Sequence, residues 1–207
     1  ITTRLVGSEM CIRDRYKIWY NISRKSIRRK EISMKSVAMA FYNGAKYIDE
    51  QIRSILDNME ETDELIISVD DASDGSEAIL EDWVQNDQRI RIIKGPGKGV
   101  VKNFENAFKH CRGEIIFLSD QDDVWKPDKI YLTLQKMEAL EARYGEKTPI
   151  LVHSDLSVAD HNLEMVAESF FQYANIPKRI VLNQLMVQNS VTGCTMTVSY
   201  THLTLPT

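Results

Sequence analysis

Three carboxylates, Asp120, Asp122 and Asp123, crowd into the run Ser119-Asp120-Gln121-Asp122-Asp123-Val124-Trp125. Like charges this close raise one another's pKa unless a cation neutralises them. Hard carboxylate oxygens suit Mg²⁺ or Mn²⁺, and Mg²⁺ usually takes one or two protein carboxylates together with substrate phosphates. A second acidic run is Asp70-Asp71-Ala72-Ser73-Asp74-Gly75-Ser76. A carboxylate here suits a base N–H or a ribose hydroxyl, although Asp, Ser and Gly also make ordinary turns. A calcium loop would want an oxygen ligand where Ala72 stands. Gly95-Pro96-Gly97-Lys98-Gly99 leads into a helical pattern with Lys102 close by, a setting that suits phosphate. No Ser or Thr follows the Gly-Lys pair, so this is not a Walker loop. His153 and Asp155 stand at a further strand end and are candidates to face the same site. His110 reads as a helix-end residue, His161 as a loop residue and Cys194 as a small buried residue.

The elements that must position these groups follow from periodicity. Ser36–Phe41 is an apolar run closed by the turn signal Tyr42-Asn43-Gly44. Ile48, Ile52, Ile55, Leu56 and Met59 form one helix face. Leu65–Val69 is a strand, and Ser76 is placed to cap a helix carrying Ile79, Leu80, Trp83 and Val84. Ile90–Ile93 is a third strand. Val100, Phe104, Ala107, Phe108 and Cys111 line a third helix. Ile115–Leu118 is a fourth strand, Pro127 opens a long helix, and Ile150–His153 is a fifth strand. A helix is expected at Phe170-Phe171 and a strand at Val191–Met196. Apolar strands alternating with helices predict an α/β fold, a doubly wound, mostly parallel sheet. Ligands in such sheets bind beyond the carboxyl ends of the strands, where both acidic runs fall.

The chain has 207 residues, 43% hydrophobic and 27% charged, with 9 Gly and 5 Pro, which excludes collagen and general disorder. No run reaches the roughly 18 apolar residues of a membrane span. Three scattered cysteines, Cys11, Cys111 and Cys194, make no disulfide framework and point to the reducing cytoplasm. The formal net charge of -4 argues against nucleic acid as a partner. Both ends carry a shared signature. Val198-Ser199-Tyr200-Thr201-His202-Leu203 can be encoded by GTCTCTTATACACATCTG, whose reverse complement encodes Met10-Cys11-Ile12-Arg13-Asp14. One DNA element in two orientations, resembling a transposon-end adaptor, accounts for both. Residues 1–15 and 197–207 are therefore expected to be adaptor-derived, and the domain to be truncated at its C-terminus. Residues 16–33 hold Lys17, Arg24, Lys25, Arg28, Arg29 and Lys30 against Glu31. They read as translated upstream DNA ahead of Met34, or as a basic extension fit for peripheral contact with the inner face of a membrane. Residues 34–196 are the expected domain.

Val37–Gly44, Val69–Ser76, Gly99–Phe104, Ser119–Trp125 and Thr192–Met196, in this order, resemble the family 2 glycosyltransferases of the GT-A fold. The likeness is strongest to the rhamnosyltransferase-like bacterial members that build polysaccharide. The resemblance implies a Rossmann-like nucleotide-binding half in 34–196. Phe41, Tyr42, Asn43, Asp70, Asp71, Lys102 and Asp120 would then contact the nucleotide, with Asp71 the main base contact. The Asp-x-Asp element falls on Asp120 and Asp122, with Asp123 beside them, and would bind Mg²⁺ or Mn²⁺ across the donor diphosphate. The implied donor is a UDP- or dTDP-sugar, and the implied acceptor a saccharide or a lipid-linked one. The general base of inverting members would follow Met196, so this extent of chain is expected to bind donor without transferring it. Asp155 matches no base position. Two other classes stay open: a nucleotidyltransferase, which usually has a basic Gly-rich loop after its first strand, and a non-enzymatic receiver-like domain, which needs its Asp pair there.

Overall fold

The computed structural model describes residues 4–7, 34–145, 148–176 and 191–199. Six strands form the main sheet, in the order β4 (Ile90–Lys94), β3 (Glu64–Val69), β2 (Lys35–Phe41), β5 (Ile115–Ser119), β9 (Thr197–Ser199), β6 (Leu151–Val152). The first four are mutually parallel, and β9 runs antiparallel to both its neighbours. Helices cover both faces. Helices α1 (Ile48–Leu56), α2 (Ser76–Asn86) and α4 (Lys129–Tyr144) pack Ile52, Ile55, Leu80 and Ile130 against Val37, Met39, Leu65 and Ile67. Helix α3 (Val100–His110) packs Ala107 and Phe108 on the opposite face, against Ala38, Ile66 and Ile116. Odd and even positions of β2 and β3 thus face different helices, so these strands read as continuous apolar runs. Each fully buried Ile contributes roughly 1.5–3 kcal/mol, and Ile52, Ile55, Ile66, Ile67 and Ile116 are all fully buried.

The amino end of the sheet is closed by polar groups. Ser36 Oγ donates to Glu64 Oε1 at 2.7 Å and accepts from Gly113 N at 2.8 Å. Arg112 N donates to the same Glu64 oxygen at 2.6 Å, and Arg91 meets Oε2 at 2.9 Å. Lys35 Nζ lies 3.0 Å from Asp63 Oδ1, both buried. Buried charges are tolerated because each is paired and hydrogen-bonded.

The periodic segments fold as expected, and two details differ. The expected strand at Val191–Met196 is instead a 3-10 turn at Gly193–Thr195, with β9 directly after it. Thr195 and Met196 donate their amides back to Thr192 and Gly193, which closes that turn. Ser76 is the first residue inside α2 and not its cap; Asp74 Oδ1 accepts from Ser76 N at 3.1 Å and from its hydroxyl at 2.6 Å. Two segments set aside as adaptor-derived contribute strands: β9, and β1 (Arg4–Gly7), which pairs antiparallel with β7 (Leu156–Ala159). With β8 (Met165–Ala167) these make a second, three-stranded sheet. The short helix α5 (Phe170–Tyr173) follows. The basic stretch 16–33 lies outside the described residues. No helix among the described residues is long and apolar enough to cross a membrane.

Gly113 meets the closing network with no room for a side chain: a Cβ there would sit 2.6 Å from Met34 O and from Ser36 N. Gly113→Ala is expected to destabilise the domain by about 1–3 kcal/mol, the cost of overpacking, read as a lower denaturant midpoint with unchanged slope.

Candidate functional site

A cavity of about 600 Å³ opens beyond the carboxyl ends of the parallel strands. Ala40, Phe41 and Tyr42 line it from β2, Asp70 and Asp71 from β3, and Asp120, Gln121 and Asp122 from β5. Gly97, Gly99, Val100 and Asn103 close it from the loop and first turn of α3.

Of the adjacent acids Asp70 and Asp71, the first is buried and the second exposed. Asp70 Oδ1 accepts from Gly97 N at 2.8 Å, while its own amide donates to Phe41 O at 3.0 Å. Asp70 therefore fastens the glycine loop to the sheet. Gly97 and Gly99 have φ of 63° and 82°, which glycine adopts at no steric cost. Asn43, at φ 49°, accepts from Ser73 N at 2.8 Å and ties the β2 and β3 loops together. It does not line the cavity. Lys102 does not line it either; its Nζ pairs with Glu105 at 2.7 Å, in a separate shallow groove with Pro96, Lys98 and Lys109.

The β5 loop is fixed from several sides. Buried Gln51 of α1 donates to Ser119 Oγ at 2.6 Å and to Asp120 O at 3.0 Å. Ser54 Oγ accepts from Trp125 N at 2.9 Å, and Asn58 donates to Lys126 O at 3.0 Å. On the other side lies Lys129, only 3% exposed. Its ammonium donates to Cys194 O at 3.0 Å and sits 4.0 Å from the centre of the Trp125 ring. Burial pushes Lys129 down to about 8, against the pull of Asp123 and Asp120.

The three carboxylates of this loop are not equivalent. Asp123 is buried and does not line the cavity. Burial, then the charge of Asp120, pushes it up to about 7. Asp120 is also held above the usual carboxylate range, by burial and then by the charge of Asp122. Asp120, Asp123 and Cys194 bring their ligand atoms within 4.8 Å of one another. That inner triangle already faces the Lys129 ammonium, and burial holds the Cys194 thiol protonated. It suits a divalent cation poorly. Asp120 and Asp122 both line the cavity, offer hard oxygens, and repel each other in a way a divalent ion would relieve.

His153 and Asp155 do not reach the cavity. Asp155 Oδ1 accepts from Leu156 N at 2.8 Å and Phe171 N at 3.1 Å, and Oδ2 accepts from Ser169 Oγ at 2.5 Å. Its carboxylate is spent on seating α5. His153 packs against Phe171, 6.1 Å between ring centres, and burial lowers its pKa. His110 ends α3, with Nδ1 2.8 Å from Asn106 O, and Cys194 is buried. Gln51, Asn103, Gln121 and Lys129 escaped sequence reasoning. For Lys129 a signal existed: a cation in the first helical turn opposes the helix dipole, so something outside the helix must hold it.

A doubly wound, mostly parallel sheet with a cavity beyond the carboxyl ends of its strands is a GT-A-like α/β fold. TarS residues 1–349 from S. aureus share this fold, with a TM-score of 0.55 over 82% of this chain and 47% of that chain, at 20% identity. The chain belongs to glycosyl transferase family 2, whose model matches residues 36–144. It is 32% identical over 105 residues to TuaG of Bacillus subtilis, a glycosyltransferase named for teichuronic acid biosynthesis. It is 36% identical over 98 residues to the dTDP-rhamnosyl transferase RfbG of Shigella flexneri. These alignments cover 49% and 44% of this chain, and 41% and 34% of the relatives. The chain thus spans less than half the length of either. Family membership removes the receiver and nucleotidyltransferase alternatives.

The Asp123 carboxyl makes stability depend on pH. The folded state keeps its proton up to about pH 7, while an unfolded Asp loses it near about pH 4. Between these values the folded state binds more protons, so stability falls as pH rises through the window. In chelator, denaturant unfolding from pH 4 to 7 is expected to show that decline, and Asp123→Asn to flatten it.

Proposed function

We propose that this chain is the donor-binding part of an inverting, metal-dependent glycosyltransferase of bacterial polysaccharide synthesis. Its donor is a UDP- or dTDP-sugar and its acceptor a saccharide or lipid-linked saccharide, used in the cytoplasm or at the inner face of the membrane. One observation carries this: Asp71 and the pair Asp120 and Asp122 face one cavity from two strand ends. That spacing suits a base and ribose at one side and a diphosphate at the other. The identity to RfbG favours a rhamnosyl-type donor.

Each group then has a task. Asp71 accepts from the base or ribose. Phe41 and Tyr42 form the wall against the base. Asp70 acts through the loop it holds, presenting the backbone of Gly97 and Gly99. Lys102, turned to Glu105 here, reaches the nucleotide only by leaving that pair. Asp120 and Asp122 hold Mg²⁺ or Mn²⁺, which offsets charge on the leaving nucleoside diphosphate. Asp123 supports them from behind. The general base comes from outside the described residues, since Asp155 is engaged elsewhere. Proton removal from the acceptor is worth roughly 10²–10⁴ in rate. A purified chain of this extent is therefore expected to bind donor while giving at most slow donor hydrolysis.

Calorimetry with UDP and dTDP, with and without Mg²⁺ or Mn²⁺, tests the donor site. Tight binding is expected only with metal, and equal affinity in EDTA would sink the metal role. Asp122→Asn is expected to weaken metal-dependent binding by roughly 10–100-fold, the range found even for outer-sphere partners. Asp71→Asn is expected to weaken nucleotide binding about tenfold at saturating metal, as loss of a charged hydrogen bond would.

A further inference from the structure

Gln121 stands between the two cavity-lining acids Asp120 and Asp122, yet its side chain turns to a different strand. Its Oε1 accepts from Tyr42 N at 2.7 Å, and its Nε2 donates to Tyr42 O at 2.8 Å. One primary amide thus satisfies both backbone groups of one residue, as a neighbouring strand would. The amide orientation is set by this pairing: reversed, it would put N–H against N–H and oxygen against oxygen. Gly44 makes room for it. A Cβ at Gly44 would lie 2.9 Å from Gln121 Cδ and 2.8 Å from Phe41 Cε2. The rest of this loop is tied the other way, to the β3 loop, by Asn43 to Ser73 and by Ala45 N to Asp74 Oδ2 at 2.8 Å.

We propose that Gln121 is a positioning residue that couples the two halves of the donor site. It links the Tyr42 wall rigidly to the carboxylate loop, so that ordering one orders the other. This role rests on the nucleotide-sugar proposal above. Binding at Asp120 and Asp122 is felt at Tyr42 through the protein itself, in addition to any bridge made by a diphosphate. Preorganising the wall also removes an ordering cost from binding the base.

Two measurements on the full chain decide it, using Gln121→Ala and Gln121→Met. The Met variant keeps the bulk and loses both hydrogen bonds. The first is amide hydrogen exchange without nucleotide. Tyr42 N–H is expected to exchange at least about tenfold faster in both variants, with Ile66 and Ile67 unchanged. Mg²⁺ is expected to slow Tyr42 exchange in the wild type and not in the variants. Unchanged exchange at Tyr42, or equal Mg²⁺ protection in wild type and variants, overturns the coupling. The second is calorimetry with uridine and thymidine, which carry no phosphate for an ion to bridge. The variants are expected to bind on the order of tenfold weaker, with thermal midpoints close to the wild type. Wild-type affinity for nucleosides in both variants overturns the role in the base wall. A wild type that binds no nucleoside and no nucleoside diphosphate sinks the donor-site proposal instead, and the exchange measurement still decides the coupling.

Discussion

Carboxylates gathered at the dry end of a parallel sheet need a cation, and this fold supplies one of its own in Lys129. The ammonium is buried against the helix dipole of α4, held by Cys194 O and the Trp125 face. Leaving a buried donor unsatisfied typically costs about 1–3 kcal/mol, and more when it is charged. Two parts of the chain distant in sequence converge there: the β5 loop with the start of α4, and Thr192–Met196. Leu118 N also donates to Met196 O at 3.0 Å, so the same contact docks the strand that follows. The lysine therefore organises the carboxyl end of β5 as much as it neutralises it.

Outward from that point the loop is held by amides rather than charges. Gln51 and Ser54 of α1, with Asn58 just beyond its end, form a polar stripe beside Ile48, Ile52 and Ile55, through which the helix is buried. These side chains satisfy the backbone of a loop that leaves the sheet without a helix directly after it. Buried polar groups are stable only when partnered, and here the partners also aim Asp120 and Asp122 at the cavity. Neutral hydrogen bonds fix the loop without cancelling the charge of its carboxylates.

The alternation of apolar runs and helix faces made the sheet legible, since Val37–Phe41, Leu65–Val69 and Ile115–Leu118 are buried on both sides. The acidic runs at strand ends pointed to the cavity for the same topological reason. What periodicity could not show was which side chains turn inward. Asp155, Asn43 and Lys102 carry the chemistry of a site and are engaged by Phe171, Ser73 and Glu105 instead. Gln51 and Gln121 look like surface residues in sequence, because their role depends on backbone groups 69 and 79 residues away. Short strands at 151–152, 165–167 and 197–199 lack enough residues for a period to show.

The two acidic dipeptides share a division of labour that follows from chain geometry. In extended backbone consecutive side chains point to opposite sides, so a pair of acids leaving a strand cannot both face one ligand equally. At β3, Asp70 turns to Gly97 N and secures the loop, while Asp71 is exposed in the cavity. The close approach is tight enough that Gly95 beside it has no room for a Cβ, which would collide with Asp70. At the β5 loop, Asp123 is buried beside Cys194 and faces Lys129, while Asp122 lines the cavity. In each pair one carboxylate is tied into the fold and its neighbour faces the cavity. Replacing the inner acid should then act through loop geometry and stability, and replacing the outer one through affinity, even though the two are adjacent in sequence and identical in type.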